Sequence, residues 1–134
     1  MSTNTNLQTI RDMYAAFGRG DIPFILSKLD DDVVWESEGP AALSFSGMRR
    51  GPAETLGFFE GIAKDHENIQ LDMPVIFGDG DLVAAFGRYR VTMKATGKPV
   101  DTPLAHFWTL SAGKIVRYVN YSNTAAYLDA LAIA

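Results

Sequence analysis

The chain has 134 residues, no cysteine, and 16 acidic against 12 basic side chains, for a net charge of −4. At 47% hydrophobic and 21% charged it has the make-up of a folded domain long enough to bury its own core. The acidic balance excludes general nucleic-acid binding, which needs clustered Lys and Arg, and the missing thiols exclude disulfides and cysteine nucleophiles. No apolar run reaches the length of a membrane span, and the first residues, MSTNTNLQTIRD, lack the basic-then-apolar order of a secretory leader. A single cytoplasmic domain over residues 1–134, not associated with a membrane, is the expectation.

Leu7, Ile10, Tyr14 and Phe17 recur at spacings of three and four, which places them on one face of a first helix. Gly18 and Gly20 end it. Asp21 is a cap for a short second helix with Pro23 in its first turn. The run Asp30-Asp31-Asp32 reads as a solvated turn, because consecutive carboxylates on an extended chain point apart and make a poor metal site. Val33 to Ser37 is a first strand, and Glu38 to Gly51 has no period and reads as a loop. Pro52 opens a third helix with Leu56, Phe59 and Ala63 on one face and Phe58 and Ile62 on the next.

Beyond Asn68 the period becomes that of strands: Ile69–Phe77, Leu82–Lys94, Val100–Leu110 and Ile115–Tyr121. A short helix from Thr124 to Leu131, capped by Asn123, closes the chain. The order predicts an α+β fold in which helices gather on one face of a curved, mainly antiparallel sheet.

The last hairpin, Ala105 to Asn123, carries the first candidate chemistry. With a turn at Ala112-Gly113 and no bulge, Ala105 faces Asn120, and Ala105, Phe107 and Thr109 share a face with Tyr118 and Asn120. His106, Trp108, Val119 and Tyr121 then fall on the other face. An amide among aromatic residues needs a partner, so Asn120 is a candidate polar anchor with Tyr118 as a phenolic donor beside it. His106 has the titration range of a base, but strand parity turns it away from Asn120 unless a bulge intervenes. Trp35 shares the Ser37 face as a pocket wall or core residue. Glu36 and Glu38 lie opposite as rim acids, and Tyr89 is a pocket or interface candidate. His66, beside acids near a helix end, reads as a surface residue.

Nucleotide-binding glycine motifs and the hydrolase G-x-S-x-G are absent, and two histidines without cysteine are too few for a zinc site. No cofactor and no metal are expected.

Three phrases in this order resemble the superfamily of nuclear transport factor 2, which includes ketosteroid isomerases, SnoaL-like polyketide cyclases and limonene epoxide hydrolases. They are Tyr14 to Asp21 (YAAFGRGD), Leu29 to Glu36 (LDDDVVWE) and Gly113 to Val116 (GKIV). The resemblance implies a cone-shaped sheet wrapped around helices, an apolar pocket at one end and dimers through the outer sheet face. It also implies which chemistry is lost. The isomerase base position is Ser37, its oxyanion donors are Met13 and Ala105, and a further pocket tyrosine is Phe59. The epoxide hydrolase and cyclase phrase Arg-Asp-Tyr-Phe-Asp becomes Val119 to Asn123 (VNYSN), with both acids now amides. Neither serine, methionine nor alanine moves a carbon-bound proton or holds an enolate by the isomerase route.

Three functions are open on this reading. The first is binding of a small hydrophobic molecule bearing oxygens, with Tyr14, Trp35, Ser37, Phe59, Ala105 and Phe107 lining its site and Asn120 at the polar end. The second is a cyclase, isomerase or hydratase using Asn120 and Tyr118 to orient the substrate and His106 or Glu36 as base. The third is a dimeric interaction module whose pocket is filled by its own side chains.

Overall fold

The computed structural model describes residues 2–132. Helix α1 spans Thr3–Gly18 and α2 spans Ile22–Ser27. They are followed by β1 (Leu29–Ser37), β2 (Gly47–Arg50), α3 (Gly51–Asp65), β3 (His66–Asp79), β4 (Leu82–Met93), β5 (Pro99–Ser111), β6 (Lys114–Ser122) and α4 (Thr124–Leu131). Ser2 caps α1 by accepting from the Thr5 amide at 3.1 Å, and Asp21 caps α2 through the Phe24 amide at 3.1 Å. Asn123 stands at the cap position of α4, but its side chain makes no capping bond.

The strands form one six-stranded sheet in the order β2-β1-β6-β5-β4-β3. Every neighbouring pair is antiparallel except β1 and β6, which run parallel. The expected α+β class and order of elements hold, with two additions. The stretch after Ser37 is a loop only as far as Ser46, because Gly47–Arg50 pairs as a short edge strand with β1. The acidic run lies inside β1: between Leu29 and Val34 the ladder with β6 is interrupted, and Asp31 and Asp32 bulge toward solvent there.

The helices cover the concave face of the sheet. Ile10, Met13 and Ala16 of α1 and Thr55, Phe58, Phe59 and Ile62 of α3 are buried against it, whereas Leu56, expected on the covered face, is 38% exposed. The start of α1 is tied to the β3–β4 turn, where Asn6 donates to the Gly80 carbonyl at 2.9 Å and Thr3 accepts from the Gly80 amide at 2.8 Å.

Curvature on the β3 side depends on one glycine. The β3–β4 register shifts between Asp72 and Val75, around Pro74 on this edge strand, where a missing donor is tolerated. Gly87 faces this bulge, and a Cβ there would lie 1.8 Å from the Asp72 carbonyl oxygen and 2.8 Å from the Met73 sulfur. The obstacle is backbone. Gly87→Ala is therefore expected to destabilise the protein by about 3 kcal/mol, the upper part of the range for overpacking, measured by urea denaturation. An unchanged midpoint would mean that the bulge is not fixed by this contact.

Candidate functional site

A bulge in β6 decides which side chains meet inside the cone. Ser111 pairs with Lys114 and Leu110 with Ile115 as expected, around a turn in which Ala112 (φ 48°) and Gly113 (φ 80°) are both left-handed. The next pair is Thr109 with Arg117, so Val116 is an extra residue. From there on Trp108 faces Tyr118 and His106 faces Asn120. Inward-facing Ile115 and Tyr118 are three residues apart, a spacing that a regular strand cannot turn to one side. The bulge admits both and leaves Arg117 outside.

Two expectations change with that register. His106 and Trp108 point into the cone with Tyr118 and Asn120, while Ala105 and Phe107 lie on the outer face, Phe107 at 45% exposure. Ala105 and Phe107 thus line no part of the interior. Glu36 also points away from it, 3.9 Å from Arg117. Ser37 is buried behind the site, where its Oγ accepts from Asn120 Nδ2 at 3.0 Å.

The concave face encloses a cavity of about 70 Å³, measured to the centres of water-sized spheres. That is well above the room a single water needs and suits a small aromatic molecule. Tyr14, Trp35, Phe59, His106, Tyr118 and Asn120, all singled out from the sequence, line it. Trp35 is stacked on Tyr118 at 3.8 Å between centroids and meets Phe58, Phe59 and Trp108 at 5.5–5.7 Å. Among the described residues that line the cavity there is no Asp, Glu, Lys or Arg.

Four of its polar side chains form two tyrosine–histidine pairs. Trp108 Nε1 donates to the Tyr14 hydroxyl at 3.0 Å, and that hydroxyl lies 2.7 Å from His106 Nδ1. With the indole donating to the oxygen, we assign the hydroxyl proton to the bond with Nδ1, which leaves the imidazole proton on Nε2. Burial pushes the His106 pKa down to about 3, opposed by the Asn120 amide across the ladder. Asn120 Oδ1 nevertheless has no hydrogen bond among the described residues. Burial also drives the Tyr14 hydroxyl well above its ordinary range, so it stays protonated.

The second pair joins Tyr89, a pocket or interface candidate in the sequence, to His66, which reads there as a surface residue. His66 is the first residue of β3, not an exposed helix end; it is 3% exposed, and its Nδ1 lies 2.8 Å from the Tyr89 hydroxyl. Burial lowers its pKa to about 4, partly offset by Asp65. Its Nε2 is unpartnered among the described residues, as is the indole Nε1 of Trp35. Phe45, Met13 and Tyr127 complete this part of the wall without having been singled out as lining residues. The signal for His66 was the change of period from α3 to β3, which places the residue at the start of a strand.

Each unpaired buried donor or acceptor costs about 1–3 kcal/mol unless a ligand or water meets it. Three such atoms belong to Trp35, His66 and Asn120, residues that line one aromatic cavity. The arrangement is suited to holding a flat molecule by stacking and fixing its oxygens by hydrogen bonds.

The same fold recurs in solved structures. An NTF2-like protein from Burkholderia thailandensis E264 superposes with a TM-score of 0.90 at 26% identity, over 99% of this chain and 100% of that one. TerC, co-crystallized with polyporic acid, gives 0.85 at 26% identity over 95% and 98% of the two chains. A candidate polyketide cyclase from Pseudomonas putida KT2440 gives 0.81 at 24% identity over 98% and 99%, a likeness of fold alone. No curated protein matches the chain. The SnoaL-like domain model matches residues 10–118, and the chain belongs to that family, within the NTF2-like superfamily.

Proposed function

We propose that this SnoaL-like domain binds a small, uncharged, flat aromatic molecule carrying hydroxyl or carbonyl oxygens. The observation that carries this is that Trp35, His66 and Asn120, three residues lining one aromatic cavity, each hold an unpartnered buried polar atom. TerC, 26% identical, was co-crystallized with polyporic acid, which supports a small molecule as the type of ligand. Charge selects further. With no ionic side chain in the lining and both imidazoles held neutral by burial, an anion entering the cavity loses its hydration and gains no counter-charge.

4-Nitrophenol tests this, because its anion is coloured and its neutral form is not. It is expected to bind in the neutral form, the bound spectrum lacking the phenolate band, with affinity falling about tenfold per pH unit above the phenol's own pKa. A bound phenolate with pH-independent affinity contradicts the assignment. Asn120→Leu is expected to weaken binding about tenfold, the value of one hydrogen bond, while leaving the melting temperature of the empty protein within a few degrees.

Turnover is the second reading, favoured by the place of the His106 imidazole in the cavity lining beside the Tyr14 hydroxyl. A general base works best with a pKa near the working pH, and His106 is pushed down to about 3. That downward shift, caused by burial, sets binding ahead of cyclase or isomerase chemistry. Exchange of carbon-bound hydrogen in a bound ketone in heavy water, lost in His106→Gln, would reverse the order.

We also infer that the outer sheet face pairs with a second copy of the chain. Phe77, Phe86, Phe107 and Tyr121 are exposed in a row across four strands, with successive ring centroids 6.0, 6.3 and 5.9 Å apart. An apolar row of this extent on a sheet face is suited to association. Sedimentation equilibrium is expected to give a dimer for the native chain and a monomer for Phe107→Asp. A native monomer at high concentration contradicts it.

A further inference from the structure

Two voids meet at one pair of side chains. Phe45 and His66 line the main cavity and also border a second cleft, of about 130 Å³ by the same measure, walled by Leu43, Asp65, Met93 and Leu131. Their rings meet edge to face with centroids 5.8 Å apart, so two rings separate the voids. His66 is bound through Nδ1 to Tyr89, a residue of the main cavity, while its Nε2 has no partner among the described residues at 3% exposure. A buried ring nitrogen left open at such a junction is a place for a ligand's hydrogen-bonding group.

Phe45 belongs to the irregular segment between β1 and β2, bounded by Gly39 (φ 154°) and Gly47 (φ 111°). The segment pairs with no strand: two local turns hold it, Leu43 to Pro40 and Ser46 to Leu43, each at 3.0 Å, together with Arg49, which donates to the Ser44 and Phe45 carbonyls at 2.9 and 3.1 Å, and Ser44, which donates to the Gly61 carbonyl at 3.3 Å. Such a segment can shift without breaking a strand ladder. Asp65 on the cleft wall sets what can follow the ligand through: a carboxylate tail meets a like charge there, and a hydroxyl or carbonyl does not.

Resting on the binding function above, we propose that the cavity and the cleft are two compartments of one site, joined past Phe45. Its ligand is elongated, with an aromatic head against Trp35 and Tyr118 and an uncharged hydroxyl- or carbonyl-bearing tail bonded to His66 Nε2.

The chain has two histidines, so a nitrogen-15 spectrum of the imidazoles contains two ring systems, assigned with His106→Gln. The probes are phenol, a head alone, and 4-(3-hydroxypropyl)phenol, a head with an uncharged tail. Phenol is expected to move the His106 signals only, and the longer probe to move both rings. His66→Gln is expected to weaken the longer probe about tenfold and phenol less than twofold. Movement of His106 alone by the longer probe, or equal movement of His66 by both probes, overturns the two-compartment site. If neither probe moves either ring, the binding function itself fails and this proposal fails with it.

Discussion

Between pH 6.5 and 4.5 the folded protein is expected to lose stability steeply. Both imidazoles are held below their ordinary pKa of 6.5, His106 at about 3 and His66 at about 4, with burial the main cause in each. Across this window the unfolded chain takes up protons that the folded chain refuses, so the unfolded state gains as pH falls. Each histidine contributes a slope of up to about 1.4 kcal/mol per pH unit, and the two together up to about 2.7. The loss continues downward until the folded values are reached. A carboxylate adds to this slope only where its pKa differs between the folded and unfolded states, and the two buried imidazoles carry the largest such difference in this range. Urea denaturation at several pH values measures it. His106→Gln is expected to remove about half of the slope whatever it does to stability at pH 7, and an unchanged slope would mean that His106 is solvated and titrates normally.

Trp35→Ala is expected to cost about 3–5 kcal/mol, a large part of the 5–15 kcal/mol that holds a domain of this kind together. Trp35 is 2% exposed and is surrounded by Tyr118, Phe58, Phe59 and Trp108, so truncation leaves a hole that rings on several elements must fill. Trp35→Phe keeps a ring on Tyr118 and removes the unpartnered indole N–H. Its expected cost is about 1–2 kcal/mol, because the smaller ring leaves a smaller hole. The pair of variants separates packing from hydrogen bonding. A loss under about 1 kcal/mol for Trp35→Ala would mean that the Trp35–Tyr118 stack is not part of the core.

The element order was readable because each period is backed by its own end signal. Asp21 before Pro23, Pro52 at the start of α3 and Ala112-Gly113 in the hairpin each have a local chemical cause, and the elements began and ended near them. Trp35, Tyr118, Asn120 and Tyr14 were found for a related reason: large aromatic or amide side chains within strand and helix periods have to be placed inside. The histidines were misplaced by non-local facts. One extra residue, Val116, moves Tyr118 and Asn120 to the face of His106, and parity counted from the turn then assigns Ala105 and Phe107 to the wrong side. The incompatible spacing of Ile115 and Tyr118, with Arg117 between them, was the clue in the sequence. For His66 the deciding partner, Tyr89, is 23 residues away and was out of reach of local patterning. The parallel pairing of β1 with β6 joins the two ends of the chain and leaves no mark in either strand's own residues.

Thermal melting of the purified chain with 2-naphthol, a series of neutral dihydroxybenzenes and neutral aromatic ketones bears most directly on the proposed function. A ligand present at about one hundred times its dissociation constant adds about 2.7 kcal/mol, a rise of several degrees in Tm for a domain of this size. The expected result is a rise for uncharged oxygenated aromatics, smaller in Asn120→Leu, with none for their charged analogues. No rise with any compound in a cooperatively melting protein would contradict a ligand-binding cavity and leave the aromatic outer face as the functional surface.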